Sequence, residues 1–197
     1  MFESTTSKIQ GHVKIIDKNS GEILVNKLNQ INFENFSVAL AQTLSNRPYG
    51  WIQEMCFGNG GAIVSATGTI TYNPPNVIGV NAQLYNETYY KVVDDLNPLN
   101  LDSTNNYITV NHINGTTYAD VIVTCVLELG EPAGQDAFDT ATNINEAYVF
   151  NELGLKAYAV NGVADQGILI SHCIFSPVQK SLNRQIQIVY TIRIQTT

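Results

Sequence analysis

The sequence predicts a mainly β fold, a β-sandwich of roughly seven to nine strands with one α-helix packed against it and long loops. The last segment, residues 184–195, places an apolar side chain at every second position, which is typical of a strand with one buried face. Short apolar runs bounded by turn residues recur along the rest of the chain. Helical periodicity is confined to one segment, at about residues 33–46.

The composition predicts a single folded domain over residues 1–197. Hydrophobic residues make up 44% of the 197 residues, which is enough for a sizeable core. Charged residues make up only 14%, against the roughly 25% that is usual in soluble domains. A surface rich in Asn, Thr, Gln and Ser favours turns and contacts with neighbouring proteins.

The charge pattern argues against nucleic acid or a membrane as a partner. The net charge is −7, and the 10 Lys and Arg residues form no cluster that could follow a phosphate backbone. No apolar run approaches the length of a membrane span, and the polar N-terminal segment lacks the apolar stretch of a signal peptide. We therefore expect synthesis without a cleaved export signal.

The first half of the chain predicts a hairpin, the helix and another strand. Residues 9–16 and 22–28 are strands joined by a turn, and Asn32 is a candidate N-cap for the helix. The apolar stripe of the helix, which could alternatively bind a partner, is expected to lie on the sheet: Phe33, Phe36, Leu40 and Leu44. Residues 51–57 form the next strand.

A glycine cluster follows that strand, at Gly58, Gly60 and Gly61. It lacks the spacing and the lysine of a phosphate-binding loop, so a tight turn that requires positive φ is the favoured interpretation. A long loop region, at about residues 58–106, is expected to provide functional or interface loops. Its tyrosines are either exposed contact anchors or buried side chains that hold the loops in place: Tyr72, Tyr85, Tyr89 and Tyr90.

The second half predicts four further strands. Residues 107–113 and 118–129 flank an Asn-Gly turn, and residues 147–158 and 168–175 precede the last strand. Ser176 and Pro177 are expected to end the strand before it. Asp136 and Asp139 lie in a polar loop that lacks the residue order of a calcium-binding EF-hand loop.

The titratable residues show no catalytic or metal-binding pattern. The three histidines are scattered, and His172 alternates with isoleucines as a hydrogen-bonded core histidine would. Cys56, Cys125 and Cys173 lack ligand spacing and are expected to be buried thiols. The Asp94-Asp95 pair has no sequence neighbour that would raise a pKa. We therefore expect no enzymatic activity, no cofactor, no metal and no small-molecule ligand.

The last quarter of the chain contains a series of short motifs. They are a Glu-Leu-Gly-Leu stretch, a turn, a Leu-Ile strand, a Pro and Lys step and a closing strand, at Glu152, Leu153, Gly154, Leu155, Tyr158, Gly162, residues 168–170, Pro177, Lys180 and the last strand. This series resembles the pattern of the attachment and collar domains of tailed-bacteriophage tail proteins. In fibres this pattern precedes a long shaft, whereas here it occupies the last quarter of the sequence.

The resemblance implies a non-enzymatic virion component of the collar, neck, ring or baseplate-adaptor type. Such a protein would fold in the cytoplasm of the bacterial host, assemble as a homo-oligomeric ring, and attach other virion proteins of the portal, neck, tail or fibre. The alternative is a carbohydrate- or receptor-binding β-sandwich in which the tyrosines of the loop region stack on sugars.

Overall fold

The computed structural model describes residues 6–135, 137, 147–157 and 166–196, and these residues form a mainly β fold with one helix. Asp136, Asp139, Tyr158 and Gly162 lie outside the described residues. The strands are β1 (Ser7–Asp17), β2 (Ile23–Ile31), β3 (Ile52–Gly58), β4 (Ala62–Val64), β5 (Ile70–Tyr72), β6 (Glu87–Val92), β7 (Tyr107–His112), β8 (Tyr118–Leu127), β9 (Ala147–Ala157), β10 (Leu169–Ser181) and β11 (Ile186–Thr196), and the helix is α1 (Phe33–Leu44).

Nine of the described strands form one antiparallel sheet in the order β6-β3-β9-β10-β2-β1-β11-β8-β7, and β4 and β5 form a separate hairpin. The two halves of the large sheet meet at β2. This strand pairs with β1 over most of its length, but with β10 only at Gln30 and Ile31. Because the sheet curls at this narrow seam, both halves contribute to one core, which confirms the predicted sandwich-like fold class.

The core combines aliphatic side chains of β1, β8 and β11 with an aromatic group on β3 and β9. Phe57 and Phe150 meet edge to face, with ring centroids 5.4 Å apart, and Tyr148 stacks on Phe150 at 5.5 Å. Such aromatic pairs add about 1 kcal/mol each beyond the area that they bury. The core therefore ties the two halves of the sheet together.

The last strand is confirmed as a central element. β11 pairs with β1 on one side and with β8 on the other, and its alternate side chains Ile186, Ile188 and Tyr190 are fully buried. Each large apolar side chain so buried stabilises the fold by about 2 kcal/mol. Period-2 alternation identified this strand because only one of its faces meets the core.

The helix is confirmed, but its predicted contact face is partly wrong. Asn32 accepts a hydrogen bond from the Asn35 N–H and caps the helix, while Phe33 and Leu44 are exposed. The buried residues are Asn35, Phe36 and Ala39. A polar contact explains the difference in the buried face. The Asn35 side chain donates a hydrogen bond to the Leu169 carbonyl at 2.9 Å, and this bond turns the face of the helix that carries Asn35 toward β10.

Two predictions about the middle and the end of the chain also need correction. The region predicted as loop contains β4, β5 and β6, so Tyr89 and Tyr90 lie in a strand of the large sheet. Pro177 does not end its strand, because β10 continues to Ser181. The pairing with β9 shifts between Ile174 and Val178, and a proline is tolerated at such an interruption of the ladder.

Within the described ranges, no helix combines the length and the apolar character that crossing a membrane requires.

Candidate functional site

The first candidate site is the buried carboxylate of Glu152 on β9. We call this carboxylate and the groups that donate hydrogen bonds to it the Glu152 clamp. Its Oε1 accepts the backbone N–H groups of Gly60 and Asn86, both at 2.9 Å. Its Oε2 accepts the Tyr85 N–H at 3.0 Å and the His172 Nε2–H at 2.9 Å. A single side chain thereby fastens two loops, around residues 60 and 85, to the sheet.

His172 on β10 is a satisfied structural group, as the sequence predicts. Its Nδ1 accepts the Asn76 N–H at 2.8 Å, so the ring proton lies on Nε2 and is donated to Glu152. Both ring nitrogens are therefore engaged, and the side chain is completely buried. The pair Glu152–His172 anchors a third loop position and offers no free base for catalysis.

The hydrogen bonds keep the Glu152 carboxylate charged. Burial by itself disfavours the charged form, but the hydrogen bonds from His172 and from the Asn86 and Tyr85 N–H groups outweigh it, so the pKa of Glu152 lies below its usual value. A charged acceptor strengthens each of these hydrogen bonds. The charged carboxylate of the clamp therefore binds the surrounding loops more strongly than a neutral acceptor would.

The glycine cluster fits the clamp through close approach, which corrects the predicted need for positive φ. None of Gly58, Gly60 and Gly61 has positive φ. A Cβ atom on Gly58 would lie 2.6 Å from the Glu152 Oε1, and one on Gly60 would lie 2.7 Å from the Asn86 nitrogen. Side chains at these positions would therefore displace the loops that the carboxylate holds.

The other residues of the phage-like segment have structural contacts as well. Leu153 and Leu155 are core residues, and Gly154 leaves no room for a Cβ, which would lie 2.6 Å from the Ser171 carbonyl oxygen. Pro177 is exposed at the interruption of β10.

Lys180 on β10 is another buried charged residue of this segment. Its Nζ donates to the carbonyl oxygens of Glu128 at 2.8 Å, Glu131 at 2.6 Å and Ser181 at 3.0 Å. The ammonium group thus fastens the turn after β8 to the end of β10. Glu152, Leu153, Gly154, Leu155, Pro177 and Lys180 therefore all lie on β9 or β10, and all of them except Pro177 are buried.

The four tyrosines occupy different environments. Tyr72 and Tyr85 are half-exposed, and their hydroxyl groups bond to the Ser176 Oγ at 3.1 Å and to the Pro74 carbonyl at 2.7 Å. Tyr90 is half-buried on β6. Tyr89 is only 7% exposed and packs on Phe57, so it holds the core together and is no surface anchor.

The second candidate site is an apolar groove of about 1020 Å³ between α1 and the half of the sheet that contains β7, β8 and β11. We call it the helix groove. Its floor is formed by aliphatic side chains of the sheet, and loops 49–52 and 94–99 close its sides. The apolar lining includes Phe36, Leu40, Trp51, Ile52, Leu96, Leu99, Ile108, Val110, Val121, Ile170, Ile192 and Ile194. Its volume is at the upper end of the range typical of ligand sites.

Two carboxylates, Asp94 and Asp95, line the helix groove. The Asp94 Oδ1 accepts the Leu96 N–H at 3.0 Å, and the Asp95 Oδ1 accepts the Ile108 N–H at 3.1 Å. Partial burial and the adjacent Asp95 raise the pKa of Asp94 above its usual value, which corrects the expectation that nothing would perturb this pair. In the described part of the chain, no Lys, Arg or His forms an ion pair with either carboxylate.

The thiols are buried, as the sequence predicts, and none of the three is in a disulfide. Burial raises the pKa of Cys125 to about 12 and that of Cys173 to about 11. The described residues contain no group of three or more His, Cys, Asp or Glu side chains placed to hold a metal ion.

The sequence alone predicted neither the hydrogen bonds of the Glu152 clamp nor the helix groove. One signal for the clamp was present, because Glu152 is a lone carboxylate in a strand that is otherwise largely apolar, and such a charge needs donors. The helix groove had no local signal. Its described lining comes from seven separate segments of the chain, so only the tertiary structure assembles it.

Comparison of the chain with family models finds no match, and comparisons with curated proteins and with solved structures likewise find none.

Proposed function

We propose that the protein is a non-enzymatic structural component of a tailed-phage particle, present in multiple copies at the neck, collar or tail, where it attaches other virion proteins. The observation that carries this proposal is the role of the phage-like segment in this fold. Glu152, the charged residue of its Glu-Leu-Gly-Leu stretch, binds three loop N–H groups and a histidine, and so shapes a surface. Attachment domains require loops held in fixed positions.

The surface of the loops supports an assembling role. Ile78 is 89% exposed and Leu101 is 95% exposed, on loops that the sheet holds in place. Large apolar side chains in such positions favour protein contacts, and a low charge density lowers the cost of removing the surrounding surface from water. Partners of this proposal are portal, neck, tail or fibre proteins, and further copies of the chain arranged in a ring.

The experiment is to purify particles from infected bacteria and to locate the protein by mass spectrometry and electron cryo-microscopy. We expect a fixed copy number per particle and density at the neck or tail. Leu101→Ser should reduce incorporation, while Lys18→Ser, which changes an exposed turn residue, should not. Particles without the protein, together with a monomer that binds no head or tail protein, would contradict the proposal.

A carbohydrate-binding function remains as a second candidate, because Tyr72 and Tyr85 are half-exposed. It predicts saturable binding on a glycan array that is lost in Tyr85→Ala while the protein stays folded. Tyr89→Ala is no test of binding, since this side chain is in the core.

A further inference from the structure

Among the strands that the structure describes, the edge strand β7 pairs only with β8, so its other side is open. It pairs with β8 in register Ile108↔Val123 and Val110↔Val121. The Ile108 N–H points away from β8, since it donates to the Asp95 side chain. Backbone groups alternate along a strand, so the N–H and C=O of Val110 also point outward.

The opposite edge strand of the sheet, β6, is capped by a side chain, unlike β7. On β6, the Tyr90 N–H donates to the Gln135 Oε1 at 2.8 Å, and the Gln135 Nε2 donates back to the Tyr90 carbonyl at 3.1 Å. The side-chain amide of Gln135 takes the place of a neighbouring strand. A salt bridge between Lys91 and Glu131 adds charge to the same edge.

Apart from the Asp95 carboxylate, which accepts the Ile108 N–H at one end, the open edge lacks the usual protection against strand pairing. Proteins protect exposed edges with charged side chains, prolines or bulges. β7 has the sequence Tyr-Ile-Thr-Val-Asn-His, without Lys, Glu, Asp or Pro, and its register with β8 is regular. Val110, in the middle of the open side, is 70% exposed.

The open edge lies beside the helix groove. The side chains of Ile108 and Val110 share one face of β7, and both line the groove. A strand added along β7 would continue the floor of the groove, and its alternate side chains would face the apolar lining. Asp94 and Asp95 stand at the end of β7 where residue 108 lies.

We infer that β7 and the helix groove bind an extended segment of another protein, which adds a strand to the sheet. Alternate apolar side chains of the segment enter the groove, and a Lys or Arg of the segment pairs with Asp94 and Asp95. This inference rests on the proposed function for the assembling role of the protein, and it names the surface and the chemistry of one partner.

Charge favours a foreign segment over a second copy of the chain. None of the residues that line the groove is basic, and the whole chain carries a net charge of −7. A second copy paired through β7 would bring no Lys or Arg of that strand to Asp94 and Asp95, because β7 contains neither residue type.

The probe is a pair of capped synthetic octapeptides that alternate Val or Ile with Thr. One peptide carries Lys at its C-terminal end, which an antiparallel strand would place near Asp95, and the other carries Lys at its N-terminal end for a parallel strand. Trp51 lines the groove and is the single tryptophan of the sequence, so its fluorescence reports occupancy. We expect a saturable change for at least one peptide below about 1 mM.

Three changes test the mechanism. Val110→Pro removes the outward N–H and should abolish binding, with circular dichroism and the thermal midpoint as controls for folding. Asp94→Asn combined with Asp95→Asn should weaken binding about tenfold, and added salt should reduce the wild-type affinity. On the peptide, replacing Lys by Glu or methylating the backbone nitrogens that face β7 should abolish binding without altering the protein.

Three results would overturn the inference: neither peptide binds, binding is unchanged by the methylated peptide and by Val110→Pro, or β7 instead joins two copies in a dimer that Val110→Pro dissociates. Particle incorporation is measured separately. A protein that is found in particles but binds no peptide would remove this surface and leave the proposed function standing.

Discussion

At the scale of single residues, the Glu152 side chain holds several parts of the fold together through its hydrogen bonds. It accepts three backbone hydrogen bonds and one from His172 while fully buried. If the carboxylate were replaced by an uncharged amide, some of these N–H donors would face the NH₂ group and lose their acceptor. A buried donor without an acceptor destabilises the folded state.

We expect Glu152→Gln to lower the free energy of unfolding by about 3 kcal/mol, because the Gln NH₂ group would face N–H donors that the carboxylate now satisfies. Urea denaturation measures the change. Glu22→Gln is the matched control, since Glu22 is exposed, and its effect should stay within about 0.5 kcal/mol. Equal effects of the two changes would show that the clamp does not stabilise the fold.

A second residue-scale prediction concerns acid. Hydrogen bonds from the Ser20 N–H and from Arg184 lower the pKa of Asp17 from 3.8 to about 2. A carboxyl whose pKa is lowered by folding stabilises the protein above its unfolded pKa, and this stabilisation is lost as the pH falls toward the folded value. It is therefore present above about pH 4 and lost between about pH 4 and pH 2.

In Asp17→Asn, this part of the pH dependence should be absent, so the difference in unfolding free energy between wild type and variant should shrink as the pH falls through that range. Chemical denaturation at several pH values measures it, with Glu22→Gln as the control. A difference that stays constant with pH would contradict the assignment.

At the scale of elements, prediction from sequence succeeded where a pattern is local. The alternation of residues 184–195 identified β11, and the Asn32 cap identified the start of α1. The contact face of α1 was partly wrong because Asn35, a polar residue, is drawn inward by the Leu169 carbonyl. Apolar spacing cannot show a buried polar anchor of this kind.

Proline substitutions separate central from edge strands. Ile188→Pro or Tyr190→Pro should abolish folding, because β11 is paired on both sides and each change also deletes a fully buried side chain. Val110→Pro is the matched substitution on β7, where the lost N–H points to solvent, and it should fold. Soluble expression and circular dichroism give the readout. Soluble, folded Ile188→Pro would refute the central position of β11.

At the scale of the whole molecule, the chain combines one large core with a smaller apolar cluster on the outer face of the sheet. Cys56 belongs to the smaller cluster, where Ala82 and Leu84 of the loop cover it, while Cys125 belongs to the large core. Burial raises the pKa of both thiols, so neither reacts readily in the folded state. Opening of the loop should expose Cys56 alone.

We therefore expect Glu152→Gln to accelerate the reaction of Cys56 with iodoacetamide without accelerating that of Cys125 to the same extent, because the clamp holds the covering loop. Mass spectrometry of the labelled peptides measures each site, and Glu22→Gln again serves as the control. Equal acceleration at both cysteines would mean that the loop and the core open together.

At this scale, the sequence was sufficient to predict the fold class, but it was insufficient to predict the helix groove and the open edge of β7. Strand alternation is visible in neighbouring residues, whereas the helix groove forms only where α1, two loops and residues of five strands meet. The open edge of β7 depends on sheet order, which local patterns do not specify.

The pairing of β1 with β11 also has a mechanical consequence. Ser7 lies opposite Thr196, and the register runs from there to Asp17 opposite Ile186. Tension between residues 7 and 196 would load this ladder one residue pair at a time, as in opening a zipper, and would not shear all pairs together. The fold therefore resists a pull between these two positions weakly.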